Sequence, residues 1–328
     1  MTTTLVTGGT GMLGSAIVRR LLAGGDRVVL LARAKSTWFL RGRGLDPDAV
    51  RWSVGDTADP ELIGATLDTH RVDRAVHVAA AVSSVANTDP FGATMANCVA
   101  TVGLLEACRV RDIRRVVLCS SVSVYAPQRA YRPDEVPLTE RALLGFAPGA
   151  PLYGAGKAYL EAAGRWYATA YGMEVAGLRP AFIASAGKPS RPPLGTVTGE
   201  LVDGPACGRP VSVDGPAGRV PYVYVEDVVD QFHTLLTAPA DKLRAGPFFN
   251  SGSTAHTVGE IVETVRRLVP DARIHVGDSD SADLTFGMPS EFSDQLFVET
   301  FGVRRRHDLE AGIRAQIEEA RRWPDLFA

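Results

Sequence analysis

A glycine-spaced turn near the amino terminus constrains this chain more than any other feature. The stretch MTTTLVTGGTGMLGSAIVRRLLAGG begins with a short β-rich run, continues through Gly8, Gly11 and Gly14, and passes into an amphipathic helix. Gly8 permits a tight turn, Gly11 lets the backbone approach a pyrophosphate, and Gly14 allows close packing of helix on strand. The free N–H groups and positive dipole end of the following helix attract phosphate. Ordinary strand–turn–helix units also carry glycines, and the chain has 33. Their position between a strand and a helix makes this turn a candidate nucleotide cradle.

The pattern beyond the turn repeats the same unit. Apolar runs at about 3–7, 27–32, 50–54, 73–79 and 115–120 are short and rich in Val, Leu or Ala, as expected for strands of a parallel sheet. Helical patterns at 11–24, 58–68 and 91–111 separate them, which implies right-handed βαβ units. A long helix is expected from Tyr153 to about Ala170, then a strand in EVAGLRPAF. Ser185 to Pro221 is dense in Gly and Pro and reads as loop with little regular structure. TVGEIVETVRRLV and LEAGIRAQIEEARRW read as amphipathic helices.

Tyr153 and Lys157 lie four residues apart in PLYGAGKAYLEAAG, so both side chains leave one face of the expected helix. A phenol has a reference pKa of about 10 and is a poor base at neutral pH. An ammonium one turn away is expected to stabilise the phenolate and ease proton transfer to or from an alcohol. A surface Tyr and a solvated Lys are the alternative. About 0.1 such pairs are expected by accident from this composition.

Taken together, TGGTGMLG and YGAGK resemble the extended short-chain dehydrogenase/reductase family, the NAD(P)-dependent epimerase/dehydratase group. The resemblance runs over essentially the whole chain. LCSSVSVYA is similar to the family's strand ending in the catalytic serine, with Ser121 at that position and Ser120 and Ser123 as rivals. HVAAAV, NCVATVGLLEAC with Asn97, LRPAFI and YVYVEDVVDQF with Asp227 follow in the family's order. The resemblance implies an α/β fold: a Rossmann-type doubly wound parallel sheet with a smaller C-terminal substrate lobe. Residues 1–175 would form the cofactor-binding core carrying Ser, Tyr and Lys, and 176–328 a mixed region that returns to the core and builds the lobe.

The same resemblance implies roles. Ser121, Tyr153 and Lys157 would be catalytic: Ser121 holding the substrate oxygen, Tyr153 passing the proton, Lys157 lowering the Tyr pKa and holding the nicotinamide ribose. The cofactor would meet Thr7, Gly8, Gly11, Met12, Leu13 and Gly14, then Asp56, Ala79, Ala80, Lys157, Pro180, Phe182 and Ile183. Val82, Ser121, Tyr125, Tyr153 and Phe182 would meet the substrate, with Phe146 and Ile183 as further candidates for an apolar pocket or for the core.

The end of the second strand bears on the cofactor. Members preferring NAD usually place an acid there to bind both ribose hydroxyls. Here Ala32 is followed by Arg33 and Lys35, which favours NADP(H) over NAD, since a guanidinium grips a 2′-phosphate that an acid would repel. Both cations also read as solvated loop charges, and Arg41 and Arg43 either reach the cofactor phosphate or are solvated.

Departures from the family pattern bear on the substrate. Val122 and Ser123 stand where sugar dehydratases carry an Asp–Glu pair, which disfavours dehydration. Phe182 replaces the Asn, and Val220 the Arg, with which nucleotide-sugar epimerases hold phosphate, although Arg219 is one step away. The expectation is therefore a ketone–alcohol oxidoreductase. An epimerase with tightly held NAD and a non-catalytic NADP sensor are the alternatives.

A net charge of −2 gives no reason to expect nucleic acid or an anionic membrane as partner. No transmembrane run or signal peptide is apparent, and Cys98, Cys108, Cys119 and Cys207 lack metal-type spacing. A cytoplasmic protein with reduced thiols and no metal is expected. By the resemblance it is a homodimer through the Tyr/Lys helix, where Ala162, Ala163 and Gly164 either permit close approach or face the sheet.

Overall fold

Successive residues of the central strands point to opposite faces of one parallel sheet, and both faces are buried. The computed structural model describes residues 1–146, 152–188, 195–215, 218–277 and 287–323. Strands β1 (Thr3–Thr7), β2 (Arg27–Ala32), β3 (Arg51–Val54), β4 (Arg74–His77), β5 (Arg115–Cys119) and β6 (Glu174–Arg179) fall where the apolar runs predict them. Five further strands follow: β7 (Phe182–Ala184), β8 (Val211–Val213), β9 (Arg219–Tyr224), β10 (Phe248–Asn250) and β11 (Thr254–Thr257). The last, β12, spans Ile274–Val276.

The main sheet has the order β10-β6-β5-β4-β1-β2-β3, with every pairing parallel. Val6, Val28, Leu30, Val76 and Val117 meet the helices Met12–Ala23 and Val225–Thr237 on one face. Their neighbours Leu5, Val29, Leu31, Ala75 and Val116 meet Pro60–His70, Ala100–Arg109 and Leu152–Tyr171 on the other. A sheet covered on both faces needs continuous apolar strands, which is why these runs do not alternate. The order reverses between β1 and β4, so the carboxyl ends of those strands frame the crevice where such sheets bind ligands.

The stretch expected to be loop between Ser185 and Pro221 departs from that expectation. It contains a π-helical turn at Thr196–Glu200, the helix Leu201–Ala206, β8 and the start of β9. Residues 189–194 and 216–217 of that stretch lie outside the described residues. Val197, Leu201, Val202, Val211 and Val213 join Val258, Ile261, Ile313 and Ile317 in a third apolar cluster, the core of the lobe. Gly199 and Gly204 obscure the helical period in the sequence. Burial against the C-terminal helix Leu309–Arg322, over a hundred residues later, decides the conformation instead.

The segment Pro90–Arg109 is long and apolar enough to cross a membrane by length and composition alone. Its Ala93, Asn97, Ala100, Thr101, Leu104 and Leu105 are buried within the fold, as in a core helix.

Candidate active site

Gly8 adopts φ +72, and a Cβ there would stand 2.6 Å from the Ala79 nitrogen, so the turn lies directly against the end of β4. Gly14 approaches the same turn so closely that a Cβ would fall 2.1 Å from the Gly8 carbonyl oxygen. Gly11 is different: its nearest neighbour would be the Gly8 oxygen at 3.4 Å, leaving its outer side open. Gly11 also caps the helix Met12–Ala23, so no cap side chain covers the N–H groups of the first turn. An uncovered helix start beside an open backbone fits a pyrophosphate. Thr7 and Leu13 are buried; the Thr7 hydroxyl bonds His77 Nδ1 at 2.8 Å and so braces the strand ends. Burial and the Lys157 charge hold His77 neutral, its pKa lowered to about 3.

A cluster of polar side chains lies across the carboxyl ends of β4, β5 and β6. Ser121 follows β5, and its hydroxyl acts on the Tyr153 phenol, opposing the rise in its pKa. Ser121 Oγ also lies 3.1 Å from Ser123 Oγ and accepts the Ser123 N–H. Lys157 Nζ sits 5.6 Å from the centre of the Tyr153 ring and donates to the Cys119 carbonyl at 2.6 Å. The helix Leu152–Tyr171 thus brings Tyr and Lys to the β5 end together, as the spacing predicts. The electrostatic expectation is corrected. Burial pushes the Tyr153 phenol above its usual range, Cys119 adds to the rise and Ser121 opposes it, while Lys157 is engaged on the Cys119 carbonyl and its own charge is disfavoured by burial.

The NAD dependent epimerase/dehydratase family model matches residues 4–250. The chain belongs to this family. It is 33% identical over 265 residues to a UDP-glucose 4-epimerase of Mycolicibacterium smegmatis, covering 77% of this chain and 78% of that one. It is 35% identical to a D-erythronate dehydrogenase of Cupriavidus necator over 130 residues, 38% of this chain and 40% of the relative. With two other curated UDP-glucose 4-epimerases the match spans about half of their length. The structure of Thermus thermophilus UDP-glucose 4-epimerase in complex with NAD superposes with a TM-score of 0.77 at 27% identity, over 97% of this chain and 99% of the other. The protein is accordingly an NAD(P)-dependent enzyme of the extended short-chain dehydrogenase/reductase type, with a Rossmann-like sheet.

Within this family frame, the main feature that sequence reasoning missed is the network behind the serine. Arg179 donates to both oxygens of Glu161, at 2.7 Å each, and to the Tyr125 hydroxyl at 2.8 Å. Ser120 Oγ donates to Glu161 at 2.6 Å, and Tyr125 donates to Asn250 Oδ1 at 2.7 Å. Ser120 is thereby engaged in the core and leaves Ser121 as the hydroxyl facing Tyr153. Tyr125, expected to touch substrate, is instead only 3% exposed, and burial pushes its phenol up to about 12. It supports the Ser121 turn from behind. A Glu four residues after Lys157 was the available signal, since Tyr153, Lys157 and Glu161 share one helical face.

The remaining expected residues are distributed around the crevice. Asn97 stands in a π-helical turn and pairs with both backbone groups of Ala81, at 2.8 and 2.9 Å, fixing the loop that carries Ala79, Ala80 and exposed Val82. Asp56 is exposed after β3 and accepts the Ala58 N–H. Pro180 accepts the Val122 N–H at 3.2 Å, tying the stretch after β6 to the Ser121 turn. Ile183 is buried, whereas Phe182 is half-buried and packs on the lobe cluster opposite Tyr222. Phe146 is largely exposed beside Gly154.

One basic residue behaves differently from its sequence reading. Arg43 is neither solvated nor open to a cofactor phosphate. It is 6% exposed and bonded to Ser15, Glu319, Ser185 and the Met12 carbonyl, pinning the C-terminal helix to the first helix. Arg219 is exposed at the start of β9, its guanidinium on the Ala255 carbonyl. Asp227 accepts the Arg306 and His307 backbone N–H groups and anchors the strap before the last helix.

Proposed function

We propose that this family member is an NADP(H)-dependent oxidoreductase interconverting a ketone and a secondary alcohol on a small organic or sugar-like substrate. The observation that carries the reading is Lys157 Nζ 5.6 Å from the centre of the Tyr153 ring, with Ser121 at the end of β5 acting on the same phenol. When bound, the nicotinamide cofactor supplies or removes hydride. Ser121 holds the substrate oxygen, and Tyr153, protonated at neutral pH, gives its proton to the forming alkoxide. Lys157, locked on the Cys119 carbonyl, would hold the cofactor ribose. The intact set speaks against a non-catalytic sensor.

The cofactor preference rests on Arg33 and Lys35. Both are exposed after β2, with no hydrogen bond or ion pair among the described residues, and no acid follows Ala32. A free guanidinium at that strand end suits a 2′-phosphate. Replacing Arg33 and Lys35 with Ala is expected to weaken NADPH binding about tenfold or more and to leave NADH within about twofold. Fluorescence titration of both nucleotides measures this; equal effects on the two would remove the NADP(H) preference.

An epimerase that oxidises and re-reduces one carbon is the second reading, favoured by the similarity to UDP-glucose 4-epimerases. The deciding experiment is mass spectrometry of nucleotide released from freshly purified, denatured protein. Exchangeable NADP(H) supports the reductase; stoichiometric, retained NAD(H) establishes the epimerase in its place.

A cytoplasmic homodimer belongs to the same proposal. Tyr159, Val99 and Val110 are exposed around a groove between the helices Ala100–Arg109 and Leu152–Tyr171, and Trp166 is exposed two turns after Tyr159 on the same helix, an apolar surface that a second copy would cover. Gly164 takes no part, because it packs on Leu118 and Phe248 of its own sheet. Trp166→Glu is expected to halve the mass seen by light scattering, and an unchanged mass sinks this interface.

A further inference from the structure

The lysines of this chain are Lys35, Lys157, Lys188 and Lys242. Lys35 and Lys242 are exposed, and Lys157 belongs to the catalytic cluster. Lys188 has no role in the reading above. It follows β7 and is half-buried in the lobe, with Gly199 so close that a Cβ there would meet the Lys188 backbone oxygen at 3.0 Å. Its ammonium donates to the Ile183 carbonyl at 2.9 Å and to Thr198 Oγ1 at 2.5 Å. Both acceptors are neutral, and an ammonium has three protons to place.

No carboxylate pairs with Lys188 among the described residues. The acids of the adjoining helical segment are committed elsewhere. Asp203 accepts from Gly187 N at 2.7 Å and from Gln316 Nε2 at 2.8 Å, and Glu200 lies 3.9 Å from Arg209. The six residues after Lys188, PSRPPL, contain no acid. Withdrawing a cation from water without a counter-ion is costly, so such a group marks a place where an anion is to be received. Burial lowers the Lys188 pKa to about 8, which still leaves most of it charged at neutral pH.

The location relates this cation to the reaction. Pro180 is bonded to the Ser121 turn, and β7 leaves from there into the lobe, carrying half-buried Phe182 and then Ile183, on whose carbonyl the ammonium rests. From these observations we infer that Lys188 is the anion anchor of the substrate lobe, binding a carboxylate or phosphate of the molecule whose carbonyl is presented to Ser121 and Tyr153. The inference rests on the oxidoreductase reading for the reacting end of that molecule. It assigns the other end, where the Asn and Arg typical of nucleotide-sugar binding are replaced by Phe182 and Val220.

The test is calorimetric titration of the NADP-loaded protein with acetoacetate, its neutral methyl ester, and UDP, comparing wild type with Lys188→Met and Lys188→Arg. Wild type is expected to bind one of the two anions at least about tenfold tighter than the ester. Lys188→Met should lose that preference, Lys188→Arg should keep most of it, and ester affinity should stay level. Preference for acetoacetate identifies a carboxylate, and preference for UDP a phosphate. No preference in wild type, or an undiminished one in Lys188→Met, overturns the assignment.

If Lys188→Met does not fold, wild type alone decides through pH. The anion binds the protonated amine, so affinity should be level below the Lys188 pKa of about 8 and fall about tenfold per unit above it. A flat profile between about pH 7 and 10 overturns the assignment equally. NADP binding is measured first and separately. Its absence sinks the cofactor reading, while the probe titrations on the protein as purified still decide the role of Lys188.

Discussion

Tyr153→Phe is expected to lower kcat by about 10²–10⁴-fold while leaving NADPH affinity within about twofold. The substitution removes one hydroxyl from a ring whose position is set by the helix Leu152–Tyr171 and by its neighbour Ser121, so the cofactor cradle at Gly8 to Gly14 is untouched. Only the proton route is lost. Single-turnover NADPH oxidation with the first ketone found in a substrate screen measures kcat, and fluorescence titration measures affinity. Turnover equal to wild type would remove Tyr153 from the chemistry. Equal loss of cofactor affinity would make it a binding residue instead.

Arg179→Leu is expected to destabilise the protein by about 3–5 kcal/mol, because it strands the Glu161 carboxylate in the core. Both side chains are 1% exposed, and Glu161 would keep only Ser120 and a longer contact to Arg165 at 3.2 Å. The Tyr125 hydroxyl would lose its donor at the same time. Adding Glu161→Leu to that variant is expected to recover a large part of the loss, since two apolar side chains replace an ion pair without leaving a buried charge. Denaturant midpoints of wild type, both single variants and the double variant complete the cycle. A loss under about 1 kcal/mol in Arg179→Leu would show that water reaches the pair and that the network does not hold the Ser121 turn.

Much of the fold was legible because it depends on short-range rules. The five apolar runs became β1 to β5 because a parallel sheet buried on both faces demands uninterrupted apolar strands. Gly8 and Gly14 were readable because each meets a steric limit within its own strand–turn–helix unit. Tyr153 and Lys157 were readable for a similar reason: helical periodicity alone puts them on one face.

Other readings failed where the deciding partner is distant in sequence. Tyr125 looked like a pocket aromatic, yet its hydroxyl is claimed by Arg179 and Asn250, 54 and 125 residues away. Arg43 looked like a loop charge, yet Glu319, 276 residues later, draws it inside. The lobe helix at Leu201–Ala206 had no periodicity to announce it and forms because its apolar residues are covered by the C-terminal helix.

Sequence alone therefore determined the sheet, the cofactor turn and the Tyr–Lys pair, each governed by steric and periodic constraints inside one local unit. Tertiary structure decided which serine faces Tyr153, which arginine is buried, and where Lys157 and Lys188 direct their charge. Those outcomes depend on desolvation and on hydrogen-bond partners that only folding brings within 3 Å or so.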